Sequence, residues 1–186
     1  RPELEGCPFF IPDPERWRGR WQQAFDEQRP LILELGCGKG AYAAAYASAR
    51  PEINYLAVDY LSDVLVLAKR KVEQAYADAG RPVNNCRLTA LNIQWIDADL
   101  APEDTVERIH INFCNPWPKA GHQKKRLPHT RQLERYLTFM PAGEIYFKTD
   151  DAPLFLASKR YLMDCGFQLR YETRDLHQSG FAPNYQ

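Results

Sequence analysis

Nothing in the sequence supports a disulfide framework or a zinc site. Its five cysteines, Cys7, Cys37, Cys86, Cys114 and Cys165, are scattered, odd in number and without a CxxC pair. They are expected to be reduced thiols of a cytoplasmic protein. His110, His122, His129 and His177 have no ligand-like spacing, so no metal is expected. There is no excess charge of either sign: 24 Lys and Arg balance 24 Asp and Glu. That excludes a wholly basic nucleic-acid binder, and any basic site must be local. A hydrophobic content of 45% argues against disorder. No apolar run approaches membrane-spanning length, no signal peptide is visible, and there is no internal repeat or low-complexity tract. The sequence starts at Arg1 rather than Met, and both ends are expected to be trimmed.

At 186 residues the chain is long enough for one domain and short for two. Residues 1–30 read as a proline-rich, aromatic arm followed by a covering helix. Asp13 and Pro14 form its start signal, and Trp17, Trp21 and Phe25 recur every four residues on its core face. From residue 31 apolar strands and helices alternate. Strands are expected at Leu31–Leu35, Ile53–Asp59, Cys86–Leu91, Arg108–Phe113, Glu144–Lys148 and Phe167–Tyr171. Helices are expected at Ala41–Ala49, Leu61–Ala79, Thr130–Met140 and Pro153–Cys165. Such alternation means an α/β fold, a mainly parallel sheet with helices on both faces.

The stretch Leu31 to Gly40, LILELGCGKG, reads as a strand, a glycine turn and a helix start. Glycine lets the backbone take positive φ and approach a ligand closely, and loops of this kind hold nucleotides. Nineteen residues after Gly40 the next strand ends in Asp59, where a βαβ unit places a carboxylate on ribose hydroxyls. The spacing is GxGxG rather than GxGxxG, and Glu34 precedes the first glycine by two residues. A carboxylate there repels phosphate. S-adenosylmethionine (SAM) has a ribose, an ammonium and a sulfonium but no phosphate, so it fits Glu34, Gly36, Gly38 and Asp59 better than a dinucleotide does.

Ligands in a parallel sheet sit beyond the carboxyl ends of its strands. There the sequence gathers Asn92 after the third strand, Asn115–Lys119 after the fourth and Thr149–Asp151 after the fifth. Asp151 is read as the cap of the helix that follows. In NPWPK two prolines bracket Trp117 and stiffen the loop, holding the ring either for a base or against the loop itself. From Lys119 to Arg131 there are five Lys or Arg, two His and no acid, which reads as a phosphate-binding patch.

With ELGCGKG, the acid of AVDY, INFCNPWPK with its HQKKRL continuation, FKTDD and RDLHQSG, the chain resembles the bacterial tRNA (guanine-N7-)-methyltransferases, class I SAM-dependent enzymes with a Rossmann-like fold. The resemblance spans nearly everything after residue 30 and implies a methyltransferase domain over residues 31–186. It implies that Glu34, Asp59, Asn92 and Asn115 contact SAM, that Lys119 and Asp150 contact the substrate, and that Gln123, Lys124, Lys125, Arg126 and Leu127 engage tRNA. It also implies action on the variable-loop guanine as a monomer or homodimer, without an obligatory protein partner or a membrane. Three departures accompany it. Asn115 and Asn92 stand where the family commonly has aspartate, with Asp97 a second candidate for the third SAM contact. A TxYE-like motif and the seventh, antiparallel strand have no room before Gln186, so a C-terminal segment is expected to be absent.

Guanine N7 carries an in-plane lone pair, so its methylation needs no general base, only alignment and charge stabilisation. Asn115 is the candidate catalytic residue, positioning the base or the SAM amine without supplying a counter-charge. Two other readings stay open. One is a SAM-dependent amino methyltransferase acting on another base or a glutamine, since such enzymes carry an N-P-P-aromatic motif at this strand end. The other is a catalytically weakened tRNA-binding relative.

Overall fold

The computed structural model describes residues 2–178. Leu31–Leu35 is buried at every position, which explains why its sequence is apolar without alternation: helices cover both of its faces. It is β2 of a six-stranded sheet whose other strands are β1 (Phe10–Ile11), β3 (Asn54–Asp59), β4 (Cys86–Ala90), β5 (Val106–Asn112) and β6 (Glu144–Lys148). The order is β1-β4-β3-β2-β5-β6, and every neighbouring pair is parallel. The helices are α1 (Pro2–Glu5), α2 (Ala41–Ser48), α3 (Ser62–Asp78), α4 (Thr130–Phe139) and α5 (Ala152–Asp164). Leu31, Leu33 and Leu35 face a core with Leu133, Tyr136 and Phe139 of α4 and Tyr161 of α5. Ile32 faces the other core, with Tyr55 and the alanines of α2 and α3. This is the Rossmann-like α/β fold that the alternation implies.

The N-terminal region departs from expectation. Trp21 and Phe25 are core residues, as the stripe suggests, but Pro14–Trp17 and Trp21–Ala24 are two short 3-10 turns rather than one helix. Gly19 separates them at φ +82°. The buried Asp104 carboxylate accepts from the backbone amides of Gly19 (2.8 Å), Trp21 (2.9 Å) and Ala101 (2.7 Å), so these amides are satisfied without an α-helix. The arm also contributes a strand. Leu88 donates its amide to the Phe9 carbonyl, and the Thr89 hydroxyl donates to the Ile11 carbonyl at 2.7 Å. Pro8 and Pro12 bracket this short pairing, since proline cannot donate to a ladder.

At the other end, the strand expected over Phe167–Tyr171 does not form. Of its alternating set Phe167 packs against the core, but Leu169 and Tyr171 are 61% and 46% exposed, so most of the apolar face gains no burial from pairing. Side chains hold the segment instead, through Arg170 with Glu144 and Glu172 with Lys159. Among the described residues no antiparallel strand joins the sheet.

Gly40 fixes how α2 meets α3. At φ +80° it starts α2, and a Cβ there would lie 2.6 Å from both Cα and Cβ of Ala68. Gly40→Ala should therefore cost about 3 kcal/mol, combining left-handed strain with overpacking of a helix contact. Gly38→Ala meets nothing within 4 Å and should cost only about 1 kcal/mol from its φ of +54°. Urea unfolding with an unchanged m-value measures both.

Candidate active site

Because all strands run parallel, their carboxyl ends share one edge of the sheet. Between β2 and β5 the order reverses: the connection from β2 leads to β3 on one side, while β5 and β6 lie on the other. The crevice at such a reversal is where this architecture binds ligands. The glycine loop, Asp59, Asn92, the segment 113–119 and Thr149–Asp151 all follow strand ends at this edge. A groove of ≈ 450 Å³ lined by Thr105, Arg108, Pro141 and Glu144 opens at the opposite edge, away from these residues.

The loop after β2 is tied to β3. Gly36, Gly38 and Gly40 have φ of +76°, +54° and +80°. The amides of Gly36 and Cys37 both donate to the Val58 carbonyl at 2.9 Å. Asp59 accepts the Gly38 amide at 2.8 Å and the Leu61 amide at 3.1 Å. With roughly four lone-pair directions, its carboxylate keeps capacity for a ligand's hydroxyls while fixing the loop. No atom lies within 4 Å of where a Gly38 Cβ would stand, so the loop leaves space there.

Glu34 lies beneath this loop at 1% exposure. In the sheet it sits between Ala57 and His110, and Tyr146 continues the row. Burial pushes its carboxyl from 4.5 up to about 7, against the opposing pull of a hydrogen bond from Tyr55. Burial, with the charges of Arg108, Arg50 and Lys148 added, pushes His110 down to about 3, so it is neutral at physiological pH. Tyr42 and Tyr46 meet its ring edge-on, and Tyr146 stacks on it. Lys148, at the end of β6, lies over the rings of Tyr42 and Phe113. Sequence reasoning missed Tyr55, His110 and Lys148. The available signal was polarity at interior-facing positions of otherwise apolar strands.

After β5 the backbone is strained, with φ of +55° at Phe113 and +44° at Trp117, neither of them glycine. Such conformations cost roughly 1–3 kcal/mol each and concentrate where position matters. The Asn115 side-chain carbonyl accepts the Trp117 amide at 3.0 Å, closing an Asx turn that holds this shape. Trp117 packs on the His122 ring and under the Lys125 ammonium, so its ring belongs to the basic loop.

That loop is not uniformly outward-facing. Lys119, Lys124 and Lys125 are exposed and Gln123 is half-buried. Arg126 is 5% exposed: its guanidinium donates to the Pro116 carbonyl at 2.8 Å and to the Tyr161 hydroxyl at 3.0 Å. Leu127 is half-buried against the core, close to Gly36, and its carbonyl accepts from Tyr136. Of the residues expected to engage tRNA, Arg126 is thus turned inward and Leu127 packs partly on the core, and both anchor the loop that presents the lysines. Asn92 accepts the Gln94 amide and caps the turn Ile93–Ala98. Asp97, the other candidate at this strand end, pairs with Arg135 of α4 at 2.6 Å. Asp150 is exposed, and Asp151 accepts the Leu154 amide at 2.8 Å, capping α5 as read. Among the described residues no cluster of three potential metal ligands occurs, and no helix is long and apolar enough to cross a membrane.

Residues 28–182 match the family model described as "Putative methyltransferase". The chain is 51% identical to a tRNA (guanine-N(7)-)-methyltransferase of Clostridium beijerinckii, covering 100% of this chain and 85% of the relative. It is 50% identical to the protein of that name from Clostridium perfringens (strain 13 / Type A), covering 99% and 85%. A solved antibiotic-related methyltransferase superposes with a TM-score of 0.55 at 16% identity, over 77% of this chain and 70% of its own, a likeness of fold.

The division of the basic loop predicts opposite outcomes for neighbouring cations. Arg126→Ala leaves a buried carbonyl and hydroxyl without their donor and should lower stability by about 2–3 kcal/mol. Lys124→Ala and Lys125→Ala should stay within about 0.5 kcal/mol of the parent. Thermal or urea unfolding distinguishes them.

Proposed function

The chain belongs to the tRNA (guanine-N(7)-)-methyltransferase family, and on that premise we propose how its own residues carry the reaction, methylation of N7 of the variable-loop guanine. The observation that carries the reading is the meeting, at one switch-point edge, of a donor half and an acceptor half. Glu34, the glycine loop and Asp59 form the first, and the strained loop 113–119 with Lys119 and the exposed Lys124 and Lys125 that follow it forms the second.

The donor half fits SAM. Two carboxylates and an open glycine loop suit a ligand that has cationic groups and ribose hydroxyls but no phosphate. SAM supplies an electrophilic methyl group on a sulfonium. Glu34 would hold its ammonium, Asp59 and Asn92 its ribose and neighbouring atoms, and Gly36 and Gly38 would admit it closely. On the acceptor half, Asp150 would accept from the N1–H and N2–H₂ edge of guanine, leaving N7 free, and Lys119 would hold O6 or a phosphate. Lys124 and Lys125, with Gln123 beside them, would follow the RNA backbone. The guanine must leave its stack to enter. No group needs to remove a proton, so the chain contributes alignment, exclusion of water and charge balance. The Asn115 carbonyl oxygen accepts the Trp117 amide with one lone pair and keeps the other for the guanine or the SAM amine. Acting on tRNA, the protein would work in the cytoplasm, without an obligatory partner subunit.

Transfer of label from SAM tests this reading. A tRNA with its variable-loop guanine intact should yield 7-methylguanosine, and one with that guanine changed to adenine should yield none. Label on both would place the target elsewhere.

Two further outcomes are expected. Asn115→Asp keeps the Asx turn, because a carboxylate also accepts the Trp117 amide, and adds a counter-charge near the developing cation. It should raise kcat/KM roughly threefold to tenfold. The second concerns pH. Glu34 is held up near pH 7, so its ionised fraction grows as pH rises through that value. Affinity for S-adenosylhomocysteine, which has the same ammonium, should therefore strengthen from pH 6 to pH 8, about tenfold per unit below the midpoint. Calorimetry checks this, and Glu34→Gln should flatten the profile.

A further inference from the structure

Beneath the donor half lies a buried polar cluster that the reaction scheme leaves unused. Glu34 is 1% exposed, and Tyr55 and His110 are fully buried. The Tyr55 hydroxyl lies 2.8 Å from Glu34 Oε1 and 3.2 Å from His110 Nδ1. Ala57, opposite Glu34 in the ladder, carries only a methyl group, which leaves room for the Tyr55 ring to reach diagonally along the sheet. His110 occupies the adjoining register position on β5 and is clamped between Tyr46 and Tyr146. Three strands thus contribute one side chain each to a single chain of hydrogen bonds.

We infer that Tyr55 and His110 are positioning residues, a hydrogen-bonded relay that fixes the Glu34 carboxylate in place for the methyl donor. The inference rests on the reading that Glu34 holds the donor's ammonium. The direction of the bonds follows from the groups. An ionised carboxylate only accepts, so Tyr55 donates its proton to Glu34, and its oxygen is then free to accept. Neutral His110 fills that role as the tautomer with its proton on Nδ1. A carboxylate pinned in this way loses little freedom when it meets a cation, and it is aimed before the ligand arrives.

Other groups also bear on Glu34: Asp59 on β3, Cys86 on β4, Lys148 on β6, Cys37 in the loop and Tyr42 on α2. Arg108 and Arg50 bear on His110. Asn112 of β5 also bears on the carboxylate through its side-chain amide, whereas the Tyr55 hydroxyl lies within hydrogen-bond distance of both Glu34 and His110. Its removal therefore has a signature distinct from a general change of field.

The test measures S-adenosylhomocysteine affinity as a function of pH for the parent, Tyr55→Phe, Glu34→Gln and the double variant, with steady-state kinetics alongside. Tyr55→Phe deletes a bond to the charged form of Glu34. It should move the pH midpoint of binding up by about one unit and weaken affinity at neutral pH about tenfold. Methyl transfer at saturating donor should change less than about threefold, giving a KM effect rather than a kcat effect. In the Glu34→Gln background the same substitution should add less than about twofold, because the relay no longer has its charged end. An unshifted midpoint in Tyr55→Phe, with Glu34→Gln impaired, would overturn the relay. Unchanged affinity and profile in Glu34→Gln would instead overturn the reading of Glu34 on which it rests. Nitrogen-15 NMR of the parent protein needs no variant: His110 protonated on Nδ1 is expected, and protonation on Nε2 alone would remove the second link.

Discussion

The hydrogen bond from the Gly38 amide to the Asp59 carboxylate, 2.8 Å long, joins the two halves of the donor site before any ligand is present. A chain turning from a buried parallel strand into a helix leaves amides that no ladder can satisfy. Here the Val58 carbonyl takes two and Asp59 takes a third. The strand that opens the second βα unit thereby sets the shape of the loop between strand and helix of the first. Gly40 then lets α2 lie against Ala68 at a separation no Cβ would allow. Loop, helix and carboxylate form one rigid piece, and the rest of the site is arranged around it.

The acceptor half is built on the opposite principle, with local strain held by inward anchors. Phe113 and Trp117 adopt φ values that their side chains disfavour. The Asx turn from Asn115 and the Arg126 bridge to Pro116 and Tyr161 hold them there. One arginine in a basic run thus works as a tie beam. The exposed lysines on either side are presented from a fixed base, which is what reading a backbone of phosphates at a set distance from a reacting atom requires.

How much of this the sequence disclosed depends on which signal was carrying the information. Periodicity and glycine spacing located β2 to β6 and α2 to α5 within a few residues, because those elements bury a continuous face. Phe167–Tyr171 shows the limit of alternation: the pattern is present, but only Phe167 reaches the core while Leu169 and Tyr171 stay exposed, and no strand forms. The aromatic stripe Trp17–Trp21–Phe25 correctly announced burial but not backbone shape, which was decided by Asp104, more than eighty residues away. The same is true of Arg126. A charge run records composition, whereas inward or outward orientation follows from tertiary partners such as Tyr161. The capping role of Asp151 was legible because a cap is local.

The least legible feature is the row across β3, β2, β5 and β6, in which Ala57, Glu34, His110 and Tyr146 stand side by side. None of these residues forms a motif with another in the chain, because a parallel sheet brings together positions from different units. Their adjacency has an energetic meaning. A carboxylic acid at 1% exposure is costly to ionise, and burial pushes its titration up to about 7 even against the hydrogen bond from Tyr55. The fold could have avoided it with an apolar residue, as at the other positions of β2. Placing an acid there instead leaves a group whose charge is expensive until a cation arrives, so the binding of a cationic donor recovers what burial withholds. N7 methylation suits that arrangement. The reaction asks the site to remove no proton, so an acid poised near neutrality can serve binding alone, with no competing demand from the chemistry.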